Sequence, residues 1–283
     1  MIQNATTRLL QGVKIITLSI NTPGPVAASR LAHMGAQVTK IEPPGGDPLK
    51  AFAPAWYFQL CQEQRVLAID LKEPAGLTQL DELLGDTDLL LASFRPSALR
   101  RLRLDWETLH ARHPRLCFAG ITGYPWPDEE RSGHDLTYLA GTGLLSPPEL
   151  PGSLFVDLAG AERCLSQSLA LLLHRERTGE AECATISLYE CAVELAAPAE
   201  AGLTSRGGML RGTFPLYGLY EASDGWIAVA ALEPQFASRL LTELKLTQAD
   251  RDLLTQVFRQ RKAQDWEAWA AERDLPLAAV RRI

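Results

Sequence analysis

In RSGHDLTYLAGTG (Arg131–Gly143), a histidine and an aspartate stand side by side, His134 and Asp135, between a charged turn and a run of small residues. Such a pair is either a helix start or one half of an acid–base site, because imidazole and carboxylate are the common proton carriers near neutral pH. Of the two, Asp135 suits the N-cap of the helix DLTYLAGTG, which leaves His134 free for chemistry. Asp157, in FVDLAG, stands just ahead of a long helical pattern, where an aspartate by itself reads as a cap. Glu233, before Pro234, reads by itself as a surface charge. Lys40, Lys72, Arg95 and Arg101 lie on or just after predicted strands. They are solvated charge if the strands scatter them and an anion site if the strand ends bring them together, with arginine offering a two-pronged grip on phosphate.

Other chemistries are missing from the pattern. The turn after the first predicted strand is NTPGPVA rather than Gly-x-Gly-x-x-Gly, and PPGGDP is followed by no Gly-Lys-Ser/Thr, so a dinucleotide or P-loop ATP site is not expected. No metal-ligand spacing is present. His110 and His113, beside Arg112, read as the solvated face of a short helix.

The elements that must position these residues follow from periodicity. Buried strands are predicted at Val13–Ile20, Gln37–Glu42, Val66–Leu71, Asp88–Ser93 and Arg115–Thr122. Helices are predicted between them at Pro25–Ala36, at Pro74–Asp86 and in DWETLHARHP. Strands this apolar, separated by helices, form a parallel sheet covered on both faces. That is a Rossmann-like, doubly wound α/β layer, whose ligands sit at the carboxyl ends of its strands. A helix at Leu158–Glu180 follows, then the strand CATISL and an apolar helix from Tyr189 to Ala201. SRGGMLRG (Ser205–Gly212) reads as a linker, and YGLYEASDGWIAVAAL as a hairpin around Ser223-Asp224-Gly225, with two or three helices after it. The expected organisation is a large domain over 1–204, a linker over 205–212 and a smaller α+β domain over 213–283.

Composition agrees with a globular chain: of 283 residues, 46% are apolar and 22% charged. The net charge of -6 argues against a nucleic-acid partner, which selects a basic excess, but leaves room for a local basic patch. Five cysteines without C-x-x-C spacing are expected to be reduced thiols. MIQNATTRLLQG carries no secretory apolar run, and no stretch is long and apolar enough for a membrane span, so a cytoplasmic protein without membrane contact is expected.

An ordered series of segments resembles the family III CoA-transferases of the CaiB/BaiF type, a group that includes alpha-methylacyl-CoA racemase. The segments are LLQGVKIITLSINTPGPVAASRLAHMGAQVTKIEPPGGDP, VLAIDLKEPAG, SFRPSALRRLRLDWETLHARHPRL and GLYEASDGWIAVAALEPQF; SGHDLTYLAGTG and ALEPQF are closest to the racemase branch. The resemblance implies a Rossmann-like large domain, a small domain and an interlocked homodimer. It implies coenzyme A as acyl carrier, an acyl-CoA substrate and no metal. It places the essential aspartate at Asp157, the racemase base at His134 and a supporting glutamate at Glu233. CoA contacts carry over to Ile20, Asn21, Lys40, Ile69, Lys72, Phe94, Arg95 and Arg101.

Three chemistries stay open at this point. Racemisation needs proton carriers on opposite faces of an acidified α-carbon, for which His134 and Asp157 are suited. CoA transfer needs only Asp157, as nucleophile on a thioester. A diverged, non-catalytic CoA-binding protein would need neither. The departures from the family bear on this choice. CQEQRV stands where the family has an Arg-Gly-Lys-type stretch, PWPDEERS stands where it has a Gly-rich mobile loop, and Ser93 and Ser97 replace its asparagine and glycine. Family members also usually continue beyond DLPLAAVRRI, so a minimal or a diverged member is expected.

Overall fold

The computed structural model describes residues 8–281. They fall into two compact units that divide between Leu195 and Ala196.

The first unit holds six strands: β1 (Lys14–Thr17), β2 (Gln37–Glu42), β3 (Gln64–Ala68), β4 (Leu89–Ala92), β5 (Cys117–Thr122) and β6 (Cys183–Ser187). All pair in parallel, in the order β3-β2-β1-β4-β5-β6. β4 and β5 are buried along their whole length, which is why they read as unbroken apolar runs rather than alternating ones. Helices α1 (Pro23–His33), α2 (Leu49–Phe52), α3 (Pro54–Cys61), α4 (Pro74–Leu84), α5 (Pro96–Leu102), α6 (Trp106–Arg112), α7 (Asp135–Gly141) and α8 (Phe155–Thr178) fill the connections, and α9 (Leu188–Glu200) crosses into the second unit. The core has two parts. One packs Val26, Leu31, Leu91, Val156 and Leu172; the other packs Ile16, Leu80, Leu90 and Leu109. Leu90 and Leu91 point to opposite clusters, the mark of a sheet covered on both faces.

Some boundaries differ from expectation, each for a local reason. The β1 ladder stops at Thr17 because Ser19 N–H turns back to Thr17 Oγ1 at 3.2 Å. β3 starts at Gln64, two residues before the expected run, because its register with β2 pairs Val38 with Gln64 and Glu42 with Ala68. α1 opens at Pro23, whose missing N–H costs nothing at a first turn. α8 opens at Phe155, three residues earlier than expected, so Asp157 lies inside its first turn rather than capping it. The short helices α2 and α3 carried no periodic signal. His110 and His113 are half-buried rather than freely solvated: the His110 ring packs on Trp106 at 4.6 Å, and His113 Nε2 lies 2.8 Å from Asp81 Oδ1.

The second unit has strands β7 (Tyr217–Glu221) and β8 (Trp226–Ala230), the expected antiparallel hairpin, extended by β9 (Leu277–Ala279). Helices α10 (Pro234–Glu243), α11 (Arg251–Phe258) and α12 (Ala263–Ala271) pack on it around Tyr220, Phe258 and Trp266. The 205–212 stretch contains one 3-10 turn, Met209–Arg211. All five thiols are free; Cys117, Cys164 and Cys191 are buried. No helix is long and apolar enough to cross a membrane among the described residues.

One glycine fixes how closely the site-bearing loop after β3 approaches a helix. A Cβ on Gly76 of α4 would lie 2.0 Å from the backbone oxygen of Asp70, an atom with no flexible route of escape. Gly76→Ala is expected to destabilise by about 1–3 kcal/mol, as overpacked core sites do. Gly152→Ala, where nothing lies within 4 Å, is the neutral control. Urea midpoints of the two variants check this; equal midpoints would contradict the packing.

Candidate active site

The strand order reverses between β1 and β4, so the chain leaves these neighbours in opposite directions and a crevice opens at their carboxyl ends. Two cavities occupy that edge, about 390 Å³ and about 410 Å³, and both are lined by Ile20 and Phe94.

The first cavity brings together Asn21 after β1, Arg95 after β4, His134 at the start of α7 and Asp157 in the first turn of α8. Asn21 takes a left-handed backbone conformation, φ 69°, and its N–H donates to Asp47 Oδ1 at 3.0 Å. Held strain of this kind clusters at functional turns. α8 approaches closely because Gly160, one turn after Asp157, leaves no side chain against Leu188; a Cβ there would meet Leu188 Cδ2 at 2.2 Å.

Asp157 is the perturbed group of the site. Burial pushes its carboxyl up from 3.8 to about 6, and the negative charge of Asp135 adds to the rise; His134 and the Thr22 hydroxyl pull the other way. A carboxyl held near 6 exchanges protons readily at neutral pH. Tyr138, which lines the same cavity, is pushed up to about 12, chiefly by burial.

Asp135 corrects the sequence reading. The N-cap of α7 is His134, whose N–H donates to Thr137 Oγ1 at 2.9 Å. Asp135 is 6% exposed, and its Oδ1 accepts from the N–H groups of Val156 at 2.7 Å and Asp157 at 3.0 Å. It caps α8, 21 residues away in sequence, because α8's own N-cap, Leu154, has no acceptor to offer.

The second cavity is lined by Ile69 and Lys72 after β3 and by Arg101 in the last turn of α5, together with apolar Ile41, Leu71 and Leu77. An apolar slot edged by exposed cations is suited to a flat base with attached phosphates. Lys40 does not join them. It is 0% exposed, with Nζ donating to Glu42 Oε1 at 2.8 Å and Asp47 Oδ2 at 2.5 Å. Lys40 pairs with Thr17 at the last step of the β1–β2 register, and its single charge meets two buried carboxylates; it anchors Asp47, which holds Asn21, and lines neither cavity. Glu233 lies on the second unit, exposed, as N-cap residue of α10.

Sequence reasoning missed Thr122, Arg131, Ser132 and Tyr138, all in the first cavity. Thr122 ends β5 at the edge where doubly wound sheets hold ligands, so its position was the available signal. The loop carrying Arg131 and Ser132 had no periodic signal. It is held by Glu130, which accepts from Ser97 N–H at 2.7 Å and Ser97 Oγ at 2.8 Å, and by Arg95, which donates to Ser132 Oγ at 2.8 Å.

Residues 10–283 match the sequence profile of CoA-transferase family III. The chain belongs to that family. Among curated members, it is 32% identical over 255 residues to alpha-methylacyl-CoA racemase from Homo sapiens, covering 84% of this chain and 65% of that protein. It is 34% identical over 210 residues to cinnamoyl-CoA:phenyllactate CoA-transferase from Clostridium sporogenes, covering 66% of this chain and 50% of that protein. The chain thus spans one half to two thirds of the length of these family III relatives. A CAIB/BAIF family protein from Brucella suis superposes with a TM-score of 0.79 at 24% identity, covering 96% of this chain and 84% of that one; this likeness concerns the fold.

Proposed function

We propose that this family III chain binds acyl-CoA thioesters across the carboxyl edge of the sheet and inverts an α-branched acyl group. The CoA nucleotide takes the second cavity, between Ile69, Lys72 and Arg101, and the thioester reaches the first. The observation that carries this reading is that His134 and Asp157 line one cavity, with Asp157 held near 6. One group takes the α-proton as its C–H electron pair moves into the enolate; the other returns a proton to the opposite face of the same carbon. Inversion in one direction needs one carrier deprotonated, to take the α-proton, and the other protonated, to return one; a carboxyl held near 6 can stand in either state. Glu233 is proposed to support the base, and the protein to be an interlocked homodimer, for which light scattering at micromolar concentration is expected to give about twice the chain mass. A single-chain mass would refute the dimer.

A second reading is supported by the likeness to the Clostridium sporogenes enzyme: Asp157 attacks the thioester carbonyl and expels CoA thiolate, giving a mixed anhydride. The thiolate attacks the aspartyl carbonyl, giving an aspartyl-CoA thioester and releasing the donor carboxylate. A second carboxylate then attacks that thioester, and the thiolate it expels takes the acyl group of the new anhydride, which frees Asp157. His134 separates the two. His134→Ala is expected to abolish inversion under the first reading and to leave most CoA exchange under the second.

The placement of CoA has its own test. Replacing Lys72 and Arg101 together by Ala is expected to weaken CoA binding by at least about 1 kcal/mol, since each supplies a charge-assisted contact. Unchanged affinity by calorimetry would move the nucleotide elsewhere.

A further inference from the structure

The two proposed proton carriers sit on different helices, and one buried carboxylate joins those helices. We propose that Asp135 is the positioning residue of the site: its carboxylate docks the first turn of α8 onto the start of α7 and so sets Asp157 against His134. The role rests on the acid–base reading of the cavity, but its geometry does not.

The first N–H groups of any helix lack acceptors within it. α8 begins on Leu154, with no side-chain cap, so the N–H groups of Val156 and Asp157 depend on an acceptor from elsewhere. A single oxygen, Asp135 Oδ1, takes both, at 2.7 and 3.0 Å, and Asp135 is nearly fully buried. Charge-assisted bonds of this kind are strong, and removing the acceptor leaves a buried donor, Val156 N–H, and a half-buried one, Asp157 N–H, without it. Asp135 directly follows His134, so the atom that fixes Asp157's backbone is one residue from the histidine. The alternative role, a cap for its own helix, is already filled by His134 and Thr137.

The placement has an electrostatic consequence. A buried negative charge beside Asp157 favours the protonated form of that carboxyl. The groups facing Asp157 are His134, Asp135 and Tyr138 from α7 and the Thr22 hydroxyl ahead of α1; Arg95, Glu129 and Arg131 line the same cavity. Among those acting on Asp157, Asp135 is the charge that raises its affinity for a proton.

Two substitutions separate holding from charge. In Asp135→Asn the amide oxygen still accepts both N–H groups, but the charge is gone. In Asp135→Ala both are gone. The midpoint of Asp157 is read by carboxyl-carbon NMR titration, assigned with Asp157→Asn, and the first turn of α8 by hydrogen exchange at Val156 and Asp157. Asp135→Asn is expected to lower the Asp157 midpoint while both amides stay protected. Asp135→Ala is expected to lose at least about tenfold in amide protection. In α-proton exchange of an acyl-CoA, Asp135→Asn should keep most of its rate, with the acid limb of the pH profile moved to lower pH, and Asp135→Ala should lose most of it. An Asp157 midpoint unmoved in Asp135→Asn, or unchanged protection in Asp135→Ala, would overturn the proposal. If Asp135→Ala does not fold, Asp135→Asn alone decides, through the midpoint. Both NMR readouts are independent of turnover, so they stand if no acyl-CoA is turned over and only the acid–base reading falls.

Discussion

Asp157→Asn is expected to lower turnover of an acyl-CoA by about 10³-fold or more, because a positioned proton carrier is worth about 10²–10⁴-fold and here the same group serves either chemistry. The same variant is expected to be more stable than the parent at neutral pH. Asp157's carboxyl is held at about 6 in the folded chain, above its ordinary 3.8. Between those values the folded chain binds a proton that the unfolded chain releases. The stability this group contributes is therefore full below about pH 4 and lost as pH rises through about 6. Asparagine does not titrate, so Asp157→Asn gains on the parent above pH 6 and loses that gain below pH 4. Urea midpoints at the two ends check the sign. An inactive variant with no pH-dependent gain would mean that burial does not raise the Asp157 carboxyl, and an active one would remove it from the chemistry.

Lys40→Ala should be the most destabilising single change in the first unit. Lys40 is fully buried between Glu42 and Asp47, whose side chains are 7% and 0% exposed, and Tyr57 donates to Glu42 at 2.9 Å. Removing the cation leaves two buried carboxylates facing each other without compensation. Breaking a buried pair in this way costs about 3–5 kcal/mol. In a unit of this size that lowers the melting temperature by on the order of 10 °C. Asp47 also holds Asn21 and Leu49 by their N–H groups, so the turn at the first cavity loosens with it. Thermal unfolding of Lys40→Ala checks the cost. A melting temperature within about 2 °C of the parent would show the ion cluster to be dispensable, and normal stability with weakened CoA binding would restore Lys40 as a ligand contact.

Lys40 also shows where sequence reading stops. Its position near the carboxyl end of β2 was legible, since QVTKIE reads as a strand. The direction of its side chain was not, because that depends on Glu42 and on Asp47 in a loop with no periodic signal. The same holds for Asp135. A residue after a turn and before a small-residue helix suits a cap, and it is a cap, but for a helix 21 residues on, which only the tertiary fold brings near. Lys72, Arg95 and Arg101 were pointed to by their places after predicted strands, Ile69 and Phe94 by the family resemblance; each lines one of the two cavities. Thr122 and Tyr138 were missed although they sit at that same edge, since neither residue type suggests chemistry by itself. The three-strand sheet of the second unit was legible as a hairpin only; β9 is three residues long and reaches β8 from the far end of the chain.

The proposed inversion needs two proton carriers acting on one α-carbon. The most direct measurement is proton NMR of an α-branched acyl-CoA incubated with the protein in heavy water. The parent chain is expected to erase the α-proton signal and to convert a single epimer to a mixture, while His134→Ala and Asp157→Ala each stop inversion, with exchange on one face able to persist in either. An α-proton signal that the parent chain leaves intact, alongside CoA exchange that survives His134→Ala, would contradict inversion and leave Asp157 as the nucleophile of a CoA transfer.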